Sequence, residues 1–559
     1  MISRTSLVSL LSFVLVAGLG QASAATGATT ERVSLSSVAA QANGTSDVPS
    51  MSDDGRYVAF LSDSSTLVAG DTNDAVDVFV RDRVAGTTKR VSVSNMDGTQ
   101  ANDHSFAAAI SADGRFVAFV STATNLVVPD VLRVRQEVFV RDLVAGTTER
   151  VSVPNGGGAG DIANGSCWGI SISAHGRFVA FASDAFNLVD GDTNGPVDPD
   201  DGASGDDVFV RDRVAGTTER VSVSSAGSQT DGISGDSDMS ADGRYVAFAS
   251  SAPNLIAGGT GGGWGVFVHD RVAGTTQLVN VPIGVDSGWG SDTPSISADG
   301  RFVAFVSAMP NLVARDTNNV ADIFVRDRVA GSTRRVSVSS GGAQAKRGSF
   351  GARISADGRY VAFSSAARNL VAGDSNGTID VFERDRVAGT TERMSVSASG
   401  AQGNERSGTW SAFGISGASV SINADGGLVA FSSVATNLVP NDTNGVADVF
   451  VRHRAAAAPV CGGRVATIVG TAGDDVLVGT AASDVILGRG GDDTVNGGGG
   501  RDVICGRGGA DLMAGGAGDD WLLGMTGRDT LRGGRGHDDC NGGAGIDIAA
   551  GCEIRTAIP

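Results

Sequence analysis

Nine aspartates follow one another at nine-residue intervals near the C-terminus: Asp475, Asp484, Asp493, Asp502, Asp511, Asp520, Asp529, Asp538 and Asp547. Each takes the sixth place of a nonapeptide that opens on glycine, beginning GTAGDDVLV, GTAASDVIL, GRGGDDTVN and GGGGRDVIC from Gly470. A carboxylate is a hard oxygen donor, and glycine lets the chain turn sharply with its carbonyl oxygens inward, so this spacing stacks oxygen-lined turns suited to Ca2+. The eighth place is mostly apolar (Leu477, Ile486, Val495, Ile504, Met513, Leu522, Leu531) and fills a thin core, which Cys540 and Ala549 weaken. Two nonads make one coil, so a cation should lie between the aspartates of turns n and n+2. Without it the carboxylates repel, and folding of this segment should be calcium-linked.

A second oxygen-rich pattern, D-x-N-x-x-x-D, occurs five times upstream: Asp71, Asn73 and Asp77; Asp192, Asn194 and Asp198; Asp316, Asn318 and Asp322; Asp374, Asn376 and Asp380; Asp442, Asn444 and Asp448. Such loops either wrap a hard cation or close on themselves as Asx turns, and the pattern leaves both open. Chemistry of the nucleophilic kind has one candidate, Gly165-Ser166-Cys167-Trp168-Gly169, which precedes a strand and not the helix that a nucleophile elbow needs.

The elements that position these residues are short strands. A hairpin close to S-x-DGR-x-VAF recurs seven times, from "SMSDDGRYVAF" at 50 to "SINADGGLVAF" at 421, with Asp-Gly at the turn in six of them. Calling its arms a and b, strand c is "DVFVRD" and strand d, after "RVAGTT", is "ERVSVS". Four strands per repeat of roughly 60 residues make a blade. An orphan d strand, "ERVSLSS" at 31–37, stands before the first repeat, and the last stops at "DVFVRHR", 448–454. The reading is an all-β chain: a seven-bladed β-propeller whose N-terminal strand closes the last blade, so that blade 7 holds residues 421–454 plus 31–37, followed by a C-terminal parallel β-roll.

These residues support two resemblances. The S-x-DGR-x-VAF and VFVRD elements, over about 31–454, resemble the WD-like repeats of TolB-type β-propellers, which implies a binding platform without naming its ligand. The nonapeptides at about 470–550 are similar to the calcium-binding repeats of repeat-in-toxin (hemolysin-type) proteins, which implies a parallel β-roll that takes Ca2+ at the nine aspartates.

Organisation follows. Residues 1–24, with Arg4, an apolar run and Ala22-Ser23-Ala24, read as a cleaved secretory signal; 25–454 as the propeller; 455–469 as a linker; 470–559 as the roll. No second long apolar segment follows, so no membrane span is expected. A net charge of -19 and a pI near 4.6 disfavour nucleic acid and anionic lipid, and suit divalent cations. Of five cysteines, four surround the roll; in a secreted chain this favours disulfides, with Cys540–Cys552 and Cys461–Cys505 preferred among three connectivities.

The a–b and c–d turns are nearly invariant between copies, whereas the b–c and d–a connections vary and are free to specialise. Trp168, Trp289 and Trp410 map to d–a connections and Trp264 to a b–c connection, so all four lie at the variable end, where they would stack on a glycan or anchor a protein. The expectation is a secreted or cell-surface, non-enzymatic binding or scaffold protein with Ca2+ in its roll. The rival is an extracellular polysaccharide-active hydrolase or lyase using the mouth of the propeller channel.

Overall fold

The computed structural model describes residues 28–556 apart from 128–134, 157–161, 195–204, 258–262, 285–289, 409–418, 455–459, 463, 472 and 545–546. The expected signal sequence, Asp198, Trp289 and Trp410 lie outside the described residues. Two compact units result, one spanning Ala28–Arg454 and the other holding the chain from Ala455 on.

In the first unit, blade 1 runs Ser46–Met51 (a), Tyr57–Ser62 (b), Asp77–Asp82 (c) and Thr87–Arg90 (d), and five further four-stranded sheets repeat this order. The seventh sheet is completed from the far end of the chain: Thr30–Arg32 pairs antiparallel with Asp448–His453, Glu31 opposite Val451. Val33 N–H continues the ladder to Val449 C=O at 2.8 Å. The ring is therefore seven-bladed and closed by its first strand, which leaves strand c of blade 7 no open edge.

The central residues of strands b and c are mostly apolar because both faces are covered. Each blade stacks one phenylalanine of b on one of c, from Phe60–Phe79 to Phe431–Phe450, with centroids 5.7–6.0 Å apart. The invariant turns clasp neighbouring blades. A Cβ on Gly114 would fall 2.3 Å from the Tyr57 ring of blade 1, so the hairpin glycine of blade 2 is required by the preceding blade's aromatic as much as by its own φ of 69°. In blades 3 to 7 the arginine after strand c lies over the equivalent ring of the preceding blade: Arg213 over Phe116, Arg271 over Phe178, Arg328 over Tyr245, Arg386 over Phe302 and Arg454 over Tyr360, at 4.1–4.6 Å. Across the closure Arg83 pairs with Glu31 of the borrowed strand.

Strand a faces the channel and is kinked. Its third residue has positive φ in six blades, at Val48, Ala107, Gly169, Asp236, Thr293 and Gly351, where the pairing with b shifts register. In blade 7 this strand is entered twice: Ser407 bridges Ser433 and Gly408 N–H bonds Ser432 C=O, then Val420–Ile422 resumes the pairing. Trp168 corrects the sequence reading, because strand a of blade 3 is Cys167–Ile172 and places it in the strand, not in the connection.

The second unit is a roll of two parallel sheets. One is built from Ile468–Val469, Val485–Gly490, Val503–Gly508, Trp521–Thr526, Asp539–Ala544 and Ile554–Thr556; the other from Val476–Val478, Thr494–Gly499, Leu512–Ala517, Thr530–Arg535 and Ile548–Ala550. Ile486, Val495, Ile504, Met513, Leu522, Leu531 and Cys540 form the core between them, with Cys552 at one end. Within the segment expected as a linker, Val460–Cys461 and Arg464–Val465 form a hairpin, and Cys461 buries against Leu487, Val503, Cys505 and Leu523 on the outside of the first sheet. The physical reason is that this outer face is apolar and needs cover. Disulfides join Cys461 to Cys505 and Cys540 to Cys552.

Candidate metal centre

The turn aspartates form a ladder. In each turn Oδ1 accepts the main-chain N–H of the aspartate two nonads earlier: Asp484 N to Asp502 at 2.8 Å, Asp493 N to Asp511 at 2.9 Å, and so on to Asp529 N and Asp547 at 2.9 Å. The other oxygen is left over. Oδ2 of Asp493, Asp502, Asp511, Asp520, Asp529, Asp538 and Asp547 is buried without a hydrogen-bond partner. An unsatisfied buried acceptor costs about 1–3 kcal/mol, and seven of them in two rows, Asp493, Asp511, Asp529 and Asp547 in one and Asp502, Asp520 and Asp538 in the other, call for counter-charge. Main-chain carbonyls converge on the same place: a Cβ on Gly497 would lie 2.5 Å from both Asp502 Oδ2 and Gly515 O, and one on Gly515 would lie 2.4 Å from Asp520 Oδ2 and 2.7 Å from Gly533 O. Carboxylate plus carbonyl oxygens in a cradle that only glycine leaves open are the donor set of a hard cation such as Ca2+. Among the described residues no three His, Cys, Asp or Glu side chains cluster to hold a metal, in the roll or elsewhere, so a cation in the roll would draw on main-chain carbonyls as well as carboxylates.

Electrostatics agree. Burial first, then the neighbouring rungs Asp520 and Asp484, pushes Asp502 up to about 6, and burial, with Asp529 and Asp493, does the same to Asp511. Asp493, Asp520 and Asp529 are raised for the same reason. The first two rungs behave otherwise. Thr471 donates N–H and Oγ–H to Asp475 Oδ2 at 2.5 and 2.9 Å, and Thr480 does so to Asp484 Oδ2 at 2.7 and 2.8 Å. Those bonds, the Thr480 N–H foremost, hold Asp484 below the usual carboxylate range. Threonine at the second place of a nonad thus takes up the oxygen that glycine, arginine or methionine leaves bare, and all nine expected aspartates line up while seven have a vacant lone pair.

The D-x-N-x-x-x-D loops carry an internal cation. Arg90 of strand d lies 3.0 Å from Asp71 and 3.5 Å from Asp77; Arg220 contacts Asp192 and Asp207, Arg335 contacts Asp316 and Asp322, Arg393 contacts Asp374 and Asp380, and Arg32 of the closing strand contacts Asp442 and Asp448. In blade 3 the second acid is Asp207, at the start of strand c. Blade 2 uses Arg150 with Glu137. Blade 4 has Gly265 where the acid would stand and Leu278 where the arginine would, so acid and base are lost together. That covariation was the sequence signal that these loops are ion pairs.

Of the expected partner-binding tryptophans, Trp168 is half-buried in strand a of blade 3 and Trp264 is exposed, at 39 %. Cys167 is wholly buried, and burial pushes its thiol up to about 12, a protonated state unfit for a nucleophile. Along the axis a cavity of about 260 Å³ is lined by strand a of every blade, with Asp236, Asp238 and Arg353 as its charged residues. Burial raises both carboxylates, opposed by Arg353.

With this geometry in view, residues 469–504, 478–513 and 514–549 match the family described as RTX calcium-binding nonapeptide repeats. No curated protein matches the chain. Solved structures similar to it include an oligogalacturonate lyase in complex with manganese (14% identity, 77% of this chain and 93% of that one, TM-score 0.46). Others are the β-propeller domain of the Trilobed protease from Pyrococcus furiosus (11%, 73% and 93%, 0.43) and a TolB from Agrobacterium tumefaciens (16%, 52% and 80%, 0.32). None of these similarities says what the chain binds or does. The class is a seven-bladed β-propeller with a β-solenoid after it. The solenoid consists of RTX calcium-binding repeats.

Proposed function

We propose that this is a secreted, non-enzymatic binding or scaffold protein whose roll is held by Ca2+ at Asp493, Asp502, Asp511, Asp520, Asp529, Asp538 and Asp547. The observation that carries this reading is the two rows of buried, unpartnered Oδ2 oxygens, those of Asp493 to Asp538 each beside a first-place glycine. Bound Ca2+ supplies the positive charge; the chain supplies carboxylate and carbonyl donors held in place by the N–H ladder. Two disulfides support a destination outside the reducing cytosol. Among the described residues no helix is long and apolar enough to cross a membrane. Calorimetric titration of the full chain with Ca2+ tests the reading: saturable binding is expected, and its absence would refute it.

The propeller serves as the platform for an extracellular protein or glycan. Its invariant turns are occupied with clasping neighbouring blades, so a partner is left the variable end, where Trp264 is exposed. Retention on immobilised glycans or extracellular proteins, lost in Trp264→Ala, is the expected result; unchanged retention contradicts that placement. A second reading, hydrolysis or elimination on a polysaccharide, is favoured only by the raised carboxylates of Asp236 and Asp238 in the axial cavity. Turnover on a glycan panel that disappears in Asp238→Asn would establish it.

A further inference from the structure

The last turn of the roll breaks the nonapeptide pattern. Internal turns put four residues between the first-place glycine and the sixth-place aspartate; after Ala550 the chain reads Gly551, Cys552, Glu553, with one residue between. The register still closes. Asp539 pairs with Ile554, as Trp521 pairs with Asp539 one coil earlier, so Glu553 stands beside Asp538 where the aspartate of a tenth nonad would be.

Its carboxylate does what that aspartate would do. Asp538 N–H donates to Glu553 Oε2 at 2.6 Å across 15 residues, as Asp520 N–H donates to Asp538 Oδ1 at 2.9 Å across 18. Facing it, Asp538 is fully buried and its Oδ2 has no partner. The Gly551 carbonyl completes the set, since a Cβ on Gly533 would lie 2.1 Å from Gly551 O and 2.5 Å from Asp538 Oδ2. The residue that shortens the turn also fixes it: Cys552 is buried in the end of the core and bonded to Cys540, which holds an eighth-place position there. Both donor kinds of an internal turn, first-place carbonyl and rung carboxylate, are thus kept while the intervening loop is cut away. Glu553 lies beyond the residues that match the RTX repeats, which end at 549.

We propose that Glu553 is a calcium ligand, closing a terminal site with Asp538 Oδ2 and the Gly551 carbonyl. The inference rests on the reading that the roll binds Ca2+. The test counts Ca2+ bound per full chain by equilibrium dialysis in wild type, Glu553→Gln, Glu553→Asp and Asp502→Asn, with circular dichroism confirming the fold of each. E553Q is expected to bind at least one ion fewer than wild type and E553D to keep the full count, because the side chain is exposed and only its charge is at issue. A full count in E553Q, or an equal loss in E553D, overturns the assignment. Should D502N also keep the wild-type count, or wild type bind no Ca2+, the reading of the roll itself fails, a result distinguishable from the first.

Discussion

Replacing Asp502 with asparagine should change the sign of its effect with calcium. Asp502 is fully buried; Oδ1 accepts Asp484 N–H at 2.8 Å, and Oδ2 has no partner beside the Gly515 carbonyl. In the isosteric Asp502→Asn the oxygen keeps the Asp484 bond, which turns the new NH2 toward Gly515 O as a donor. Without Ca2+ the variant loses an orphan acceptor and the repulsion from Asp484 and Asp520, so the roll should gain about 1–3 kcal/mol. With Ca2+ at a thousandfold over its dissociation constant, a lost site forfeits about 4.1 kcal/mol, more than that gain. The assay is thermal unfolding by circular dichroism in chelator and in excess Ca2+. D502N should melt above wild type in the first and below it in the second. The same direction of shift in both conditions would refute the reasoning. Acidity gives a companion check: because the folded value of Asp502, about 6, is above its usual 3.8, its share of apo stability is present below about pH 4 and is lost as pH rises through 6. D502N should flatten that slope.

Three further outcomes are expected. Arg335→Leu strands the buried Asp316 and Asp322 and should cost the propeller about 3–5 kcal/mol by denaturant melts, whereas R335L with Asp316→Gly and Asp322→Gly, a copy of blade 4, should recover most of it. Glu383 stands where the other strands c have valine, and burial pushes it up to about 8 despite Arg454; its stability contribution is present below about 4.5 and is lost as pH rises through 8. Glu383→Val together with Arg454→Leu, which replaces the whole pair, should raise propeller stability by about 1–4 kcal/mol and remove the alkaline decline in melting temperature. Thr480→Val should cost about 1 kcal/mol in calcium and chelator alike, since it removes one hydrogen bond to Asp484 and no ion ligand.

The blades and the ladder were legible because both are periodic, and a period survives any single exception. The closing strand was legible from an accounting of ends: Glu31 and Val33 had no partner until Val451 and Val449 were left without a neighbour. What escaped was pairing between places in different registers. Thr471 and Thr480 stand at second places held elsewhere by glycine, arginine or methionine, and their hydroxyl satisfies a carboxylate four residues on. Glu553 falls outside the nine-residue count because its turn is three residues short. The D-x-N loops stayed ambiguous because the arginine that answers them lies on a different strand. Trp168 was misplaced because CWGISI bulges at Gly169 and so lacks the alternation that marks a strand.

Hydrogen exchange on the full chain, compared in excess Ca2+ and in excess chelator, tests the central claim most directly. Calcium should slow exchange of the amides between 485 and 556, above all those of the rung aspartates, and leave the b and c strands of the propeller unchanged. Indistinguishable exchange of the roll in the two conditions would contradict the account.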